Sequence, residues 1–176
     1  MVTKAVSFKD YIRVIPDFPQ PGIRFKDITT LLKDGEAYRA AIEEMRAAVQ
    51  HMNVDVVAGP EARGFVAGAP LALALGVGFT PIRKSGKLPG ETITASYDLE
   101  YGKDQLAMHK DAIQPGQRVL IADDLLATGG TIATSINLVR QLGGEVIGAA
   151  FLIELAYLNG REKLDGIDVF SLMTYE

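Results

Sequence analysis

Val119-Leu120-Ile121-Ala122-Asp123-Asp124-Leu125-Leu126-Ala127-Thr128-Gly129-Gly130-Thr131 joins an apolar run, two acids and a glycine turn in thirteen residues. Val119 to Ala122 is an unbroken apolar run, which predicts a buried strand. Two acids follow at once, then a turn of small residues, then a helical pattern with Ile132, Ile136, Val139 and Leu142 on one face. Ala127, Thr128, Gly129, Gly130 and Thr131 therefore fall where a strand gives way to a helix. Free backbone N–H groups and the positive helix end favour a phosphate there. Glycine allows the backbone to approach that phosphate closely. Asp123 and Asp124, just ahead of the turn, can accept hydrogen bonds from a pair of sugar hydroxyls. A hydroxyl grip followed by a phosphate cup fits ribose 5-phosphate. The competing reading is an ordinary strand–turn–helix with two solvated acids. The acid pair and both threonines in register weigh against it.

Composition narrows the surroundings. A chain of 176 residues is one domain of ordinary size, able to bury a core without staples. With 48% apolar and 23% charged residues it is globular rather than disordered. A net charge of −4 with no lysine/arginine block does not favour a nucleic-acid backbone. Cysteine is absent, which excludes disulfides, iron–sulfur clusters and thiolate zinc sites. His51 and His109 have no recognisable ligand spacing. Met1 to Val14 carries no apolar signal region, and the longest apolar stretch, Val66 to Val77, is too short to span a bilayer. No membrane contact and a cytoplasmic location are the expectation.

Outward from the central stretch, strands and helices alternate. Ser7 to Val14 reads as a short capped helix, and Pro16 to Gly22 as an extended segment. Ala41, Met45, Ala48, Val49 and Met52 place an amphipathic helix over about Glu36 to His51. A strand over Asp55 to Ala58, a helix over Ala62 to Leu75 and a strand over Gly78 to Ile82 follow. Residues 84 to 90, with two glycines, a proline and two lysines, read as a mobile loop. Thr92 to Tyr97 and Gln105 to His109 pair as antiparallel strands around a turn at Asp98 to Asp104. Strands over Glu145 to Leu155 and Asp168 to Tyr175 close the chain, with a turn around Arg161 between them. The alternation predicts an α/β fold: a mostly parallel twisted sheet flanked by helices, with ligands at the C-terminal strand ends.

Three more pieces carry chemistry. Ala58-Gly59-Pro60-Glu61-Ala62-Arg63-Gly64 again follows a strand and opens a helix. It is either a tight turn or a second anion cup in which Arg63 binds phosphate oxygens bidentately. Arg83, Lys84 and Lys87 are either a solvated face or mobile cations that close over an anionic leaving group. Glu100-Tyr101 in the hairpin turn, and Phe25 near the N-terminus, are unremarkable alone: an exposed turn and a core aromatic.

Taken together these segments resemble the type I phosphoribosyltransferases, enzymes that use 5-phosphoribosyl-1-pyrophosphate, and in particular their adenine-using branch. The resemblance is carried by the central stretch and by Phe18-Pro19-Gln20-Pro21-Gly22 with Phe25-Lys26-Asp27-Ile28. Ile82 to Gly90, Ala95 to Lys103 and Gly160-Arg161-Glu162-Lys163-Leu164 carry the rest, so that it spans Phe18 to Tyr175. It implies a small N-terminal base-binding hood over about residues 1–34 and a flexible hairpin lid over about 84–104. It implies that Asp123, Asp124 and Ala127 to Thr131 hold the ribose 5-phosphate, and that Glu61, Ala62, Arg63, Lys84 and Lys87 surround the pyrophosphate. Arg83 either joins them or reaches across a dimer interface. Adenine would lie on Arg24, Phe25 and Lys26, with Leu125 on its other face. Glu100 and Tyr101 would be catalytic, Glu100 acting on a purine ring proton or on positive charge at the sugar. The resemblance also implies a cis peptide at Glu61–Ala62, a homodimer, AMP and pyrophosphate as products, and Mg2+ bound mainly through the substrate. Another purine base, hypoxanthine/guanine or xanthine, and a non-catalytic sensor of the ribosyl donor are the alternatives. Against them stand the absence of a lysine in Phe151 to Leu158, the short acidic chain and the Glu100-Tyr101 pair.

Overall fold

The computed structural model describes residues 7–99 and 102–176. Its first elements are β1 (Arg13–Pro16) and β2 (Arg24–Asp27), an antiparallel pair in which Ile15 lies opposite Phe25. The helix expected over Ser7 to Val14 is not formed. Phe8–Tyr11 makes a single 3-10 turn, the Ser7 side chain caps nothing, and the chain then extends into β1. The β-branched Val14 and Ile15 and the following Pro16 oppose helix, and pairing with β2 decides the outcome. Nor is Pro16 to Gly22 simply extended. Asp17 and Gly22 have positive φ, and the Asp17 carboxylate accepts the Gly22 amide at 2.8 Å, folding the segment into a turn.

A short α1 (Thr29–Leu32) leads to α2 (Gly35–Val49). Asp34 caps α2 by accepting from the Glu36 and Ala37 amides at 3.1 and 3.0 Å. Then come β3 (Val56–Pro60), α3 (Gly64–Leu75), β4 (Gly78–Lys84), β5 (Thr92–Leu99), β6 (Gly102–His109), β7 (Arg118–Leu126), α4 (Gly130–Gln141), β8 (Glu145–Leu155) and β9 (Val169–Tyr175). The main sheet has the order β5-β6-β4-β3-β7-β8-β9. Its β4-β3-β7-β8-β9 portion is parallel, and the β5–β6 hairpin extends it antiparallel.

Burial explains why this sheet is covered on both sides. Along β7, Leu120 and Ala122 face the core beneath α2 and α3, while Val119 and Ile121 face the one beneath α4. The order also fixes where a ligand can sit. From β3 the chain crosses through α3 to β4 on one side; from β7 it crosses through α4 to β8 on the other. The loops after the adjacent strands β3 and β7 therefore diverge and leave a crevice at their C-terminal ends.

Candidate active site

That crevice is a cavity of about 400 Å³ walled by Glu61, Ala62 and Arg63 from the loop after β3 and by Asp123 through Ile132 from β7 and the start of α4. The two stretches singled out as strand–turn–helix anion cups thus face each other. β7 runs further than the apolar run suggested: it continues through both acids to Leu126, so their carboxylates are set by strand geometry. Gly129 caps α4 with φ +80°, a conformation that favours glycine. Gly64 permits another close approach, since a Cβ there would lie 2.8 Å from Asp123 Oδ1.

Asp124 is buried, and Arg63 Nε lies 3.1 Å from its Oδ2. The Asp124 amide donates to Asp123 Oδ1 at 2.8 Å. Burial, then the neighbouring Asp124 charge, pushes the Asp123 carboxyl well above its usual range. Asp124 is also raised by burial, with Arg63 pulling the other way. Two carboxyl groups poised this way strongly favour hydroxyl or cation partners.

The second cup is built differently. Glu61–Ala62 is a cis peptide, as the resemblance implied. The Glu61 carboxylate turns toward the cations of the next loop: it accepts the Lys84 amide at 2.8 Å, with Arg83 Nε at 3.3 Å and Lys87 Nζ at 3.5 Å. Burial alone would raise this carboxyl, but that hydrogen bond and the Lys87 and Arg83 charges hold it below the usual glutamate value. Lys84 Nζ is 3.1 Å from Asp104 Oδ2, which also accepts the Tyr97 hydroxyl at 3.2 Å. The cations are therefore gathered at the root of the hairpin and linked to the wall of the cavity.

Phe25 stands at the rim. Arg63 lies over its ring at 5.2 Å, and Phe18 meets it edge-on at the same centroid distance. Leu125 lines both the crevice and a second cavity of about 750 Å³ shared with Arg24, Phe25 and Lys26. Lys26 extends away along Tyr175, its Nζ 4.3 Å from the ring centroid. Glu100 and Tyr101 lie outside the described residues. Among the described residues no cluster of three or more His, Cys, Asp or Glu could hold a metal. Three features had no sequence signal of their own: Glu61 as an ionic hub, the Lys84–Asp104–Tyr97 link, and the close packing of the Gly160 backbone against Ala127 and Gly129. Each depends on residues distant in sequence.

A doubly wound sheet whose switch point carries an acid pair running into a glycine-capped helix, faced by a second strand–turn–helix loop, has the architecture of a sugar-phosphate-binding protein. Residues 27–173 match the phosphoribosyl transferase domain, and the chain belongs to that family. It is similar to adenine phosphoribosyltransferase of Brevibacillus brevis, at 71% identity over 170 residues covering 97% of this chain and 100% of that protein. Among solved structures, adenine phosphoribosyltransferase from Thermoanaerobacter pseudethanolicus superposes with a TM-score of 0.93 at 57% identity, covering 96% of this chain and 98% of that one. The Saccharomyces cerevisiae enzyme, complexed with adenine and an imino-altritol bisphosphate, superposes at 0.90 and 40% identity, covering 94% and 96%.

Proposed function

We propose that this chain transfers the phosphoribosyl group of 5-phosphoribosyl-1-pyrophosphate to adenine, giving AMP and pyrophosphate, as a purine-salvage enzyme. The observation that carries the reading is the crevice itself. An acid pair at the end of β7 runs directly into the glycine-capped start of α4, and Ala62 and Arg63 face both across one cavity. The bond from ribose C1 to the pyrophosphate oxygen breaks as the adenine N9 bond forms, its electron pair leaves with pyrophosphate, and the N9 proton is released to solvent. Ala127 to Thr131 hold the 5-phosphate, while Asp123 and Asp124 grip the ribose hydroxyls, which fixes C1 between base and leaving group. Arg63, Lys84 and Lys87 stabilise charge on the departing pyrophosphate, with Arg83 beside them through Glu61. Phe25 and Leu125 sandwich the adenine ring, and Arg24 and Lys26 border it through their backbone. Glu100, with Tyr101, assists over the reacting centre.

A Mg2+ ion would be held mainly by substrate oxygens, and Asp123 and Asp124, which line the crevice, are carboxylates that would share it. When bound, the ion supplies charge screening on the pyrophosphate. A homodimer, a cytoplasmic location and a single domain over residues 1–176 complete the reading, all supported by resemblance to the family. A spectrophotometric assay with adenine, hypoxanthine, guanine and xanthine in parallel tests it. AMP from adenine alone is expected; turnover of a 6-oxopurine in preference to adenine overturns the base assignment.

A further inference from the structure

The 5-phosphate cup is braced from outside by a segment the reaction does not touch. A methyl group on Gly129 would collide with the Gly160 carbonyl oxygen, and one on Gly160 with the carbonyl oxygen of Ala127. The Gly160 backbone thus lies flush against the outer wall of the cup, with no space for a side chain on either surface. Gly160 opens the 3-10 turn Gly160–Lys163, and its neighbour Arg161 pins that turn to the sheet. Arg161 Nε and Nη2 donate to Glu154 Oε1 and Oε2, each at 2.6 Å, and Nη1 donates to the Val169 carbonyl at 3.2 Å. The Ser171 hydroxyl donates to Glu154 Oε2 at 2.6 Å. Glu154 itself is buried and lies opposite Leu126 in the β7–β8 register, one residue before the cup begins.

We propose that Glu154 and Arg161 are a positioning pair that sets the 5-phosphate cup by clamping Gly160 against it, an inference that rests on the cup binding the donor's 5-phosphate. A two-pronged guanidinium–carboxylate pair fixes direction as well as distance, which a single hydrogen bond does not. The Arg161 hydrogen bond holds the Glu154 carboxyl below its usual range, so the pair is fully charged at neutral pH. Since Gly160 meets the cup backbone-to-backbone, any tilt of its turn is transmitted to Ala127 and Gly129 undamped. The loop after β3 shares none of these contacts.

Titration calorimetry with ribose 5-phosphate and, separately, with magnesium pyrophosphate tests the pair in the full chain. Arg161→Met keeps the stem and removes the fork. It is expected to weaken ribose 5-phosphate about tenfold and to raise the donor KM similarly, with kcat and pyrophosphate affinity within about twofold of wild type. Arg161→Lys, with charge but no fork, should fall between. Unchanged ribose 5-phosphate affinity, even with a lower melting temperature, makes the pair merely structural and overturns the proposal. Equal weakening of both ligands does so too. If Arg161→Met does not fold, Ser171→Ala trims one bond to Glu154 and should cost about two- to fivefold on ribose 5-phosphate alone; no change overturns the proposal. Wild type that fails to bind ribose 5-phosphate removes the functional reading and the inference with it, whereas wild type that binds as Arg161→Met does removes only the inference.

Discussion

The loops after β3 and β7 start from the same plan, a strand turning into a helix beside a cavity, yet they are stabilised by opposite means. Ala127 to Gly130 is held by backbone: a left-handed glycine caps α4, and Gly160 leaves no slack behind it. Glu61 to Arg63 is held through the Glu61 side chain, whose carboxylate accepts the Lys84 backbone amide at 2.8 Å and pairs with the partly exposed Arg83 and Lys87 side chains at 3.3 and 3.5 Å. Packed backbone is bistable or rigid and barely responds to salt, while exposed ion pairs are weak and exchangeable. The difference suits two roles. A 5-phosphate keeps its place through the proposed reaction, but a pyrophosphate has to leave.

Gly129→Ala should have the largest effect. The added methyl would need φ near +80° and the space occupied by the Gly160 carbonyl, so the cup has to shift. A displacement of that kind costs on the order of a hundredfold in kcat/KM for the donor, at low and high salt alike. Activity within a few-fold of wild type would show that the cup is not rigid. Next comes Asp124→Asn, which keeps size but weakens a charge-assisted bond to a ribose hydroxyl and the contact with Arg63. A loss of roughly 1.5–3 kcal/mol, or about ten- to a hundredfold in kcat/KM, is expected in steady-state assays. Unchanged kinetics would make the acid a structural partner of Arg63 alone. Lys87→Ala probes the charged loop. Pyrophosphate inhibition should weaken only about three- to tenfold, the effect should shrink at high salt, and ribose 5-phosphate binding should not change. A salt-independent loss would mean that this loop, too, is held by packing.

The inner wall of the crevice was legible in sequence because its own residues are local: an apolar run, two acids and a glycine turn within thirteen residues, Val119 to Thr131. The alternating sheet and its helices follow from similarly local periodicity. Where the reading failed, the deciding contact was distant. Arg24–Asp27 becomes a strand only because Arg13–Pro16 pairs with it, and neither stretch has an alternating pattern of its own. That Glu61 gathers cations 22 to 26 residues further on was likewise hidden, since they join it only when β4 lies beside β3. Gly160 meets Gly129 across two elements, and a glycine in a turn gives no sign of what it touches.

The smallest expected effect has the opposite sign from the others. Asp123 is pushed well above its ordinary value of 3.8, by burial first and by Asp124 second, so the folded chain binds its proton more tightly than the unfolded chain does. Between those two values the native state carries more protons. Stability is therefore highest at low pH and falls as pH rises from about the unfolded value through the raised folded one. Above that window an ionised Asp123 is a standing cost in the apo protein, offset when ribose hydroxyls or a cation arrive. Asp123→Asn removes the charge, keeps the shape, and should raise the apo melting temperature at neutral pH, by about 2–4 °C for each kcal/mol recovered. The gap between variant and wild type should narrow toward pH 4, where the wild-type carboxyl is protonated. Activity should fall at the same time, because the group that destabilises the empty site is the one proposed to grip the ribose. Calorimetric scans of both proteins across this pH range decide the matter. A variant that melts lower than wild type at every pH would mean that the charge assistance Asp123 gives its bond from the Asp124 amide outweighs the cost of the buried charge, and that the acid pair belongs to the rigid frame of the cup.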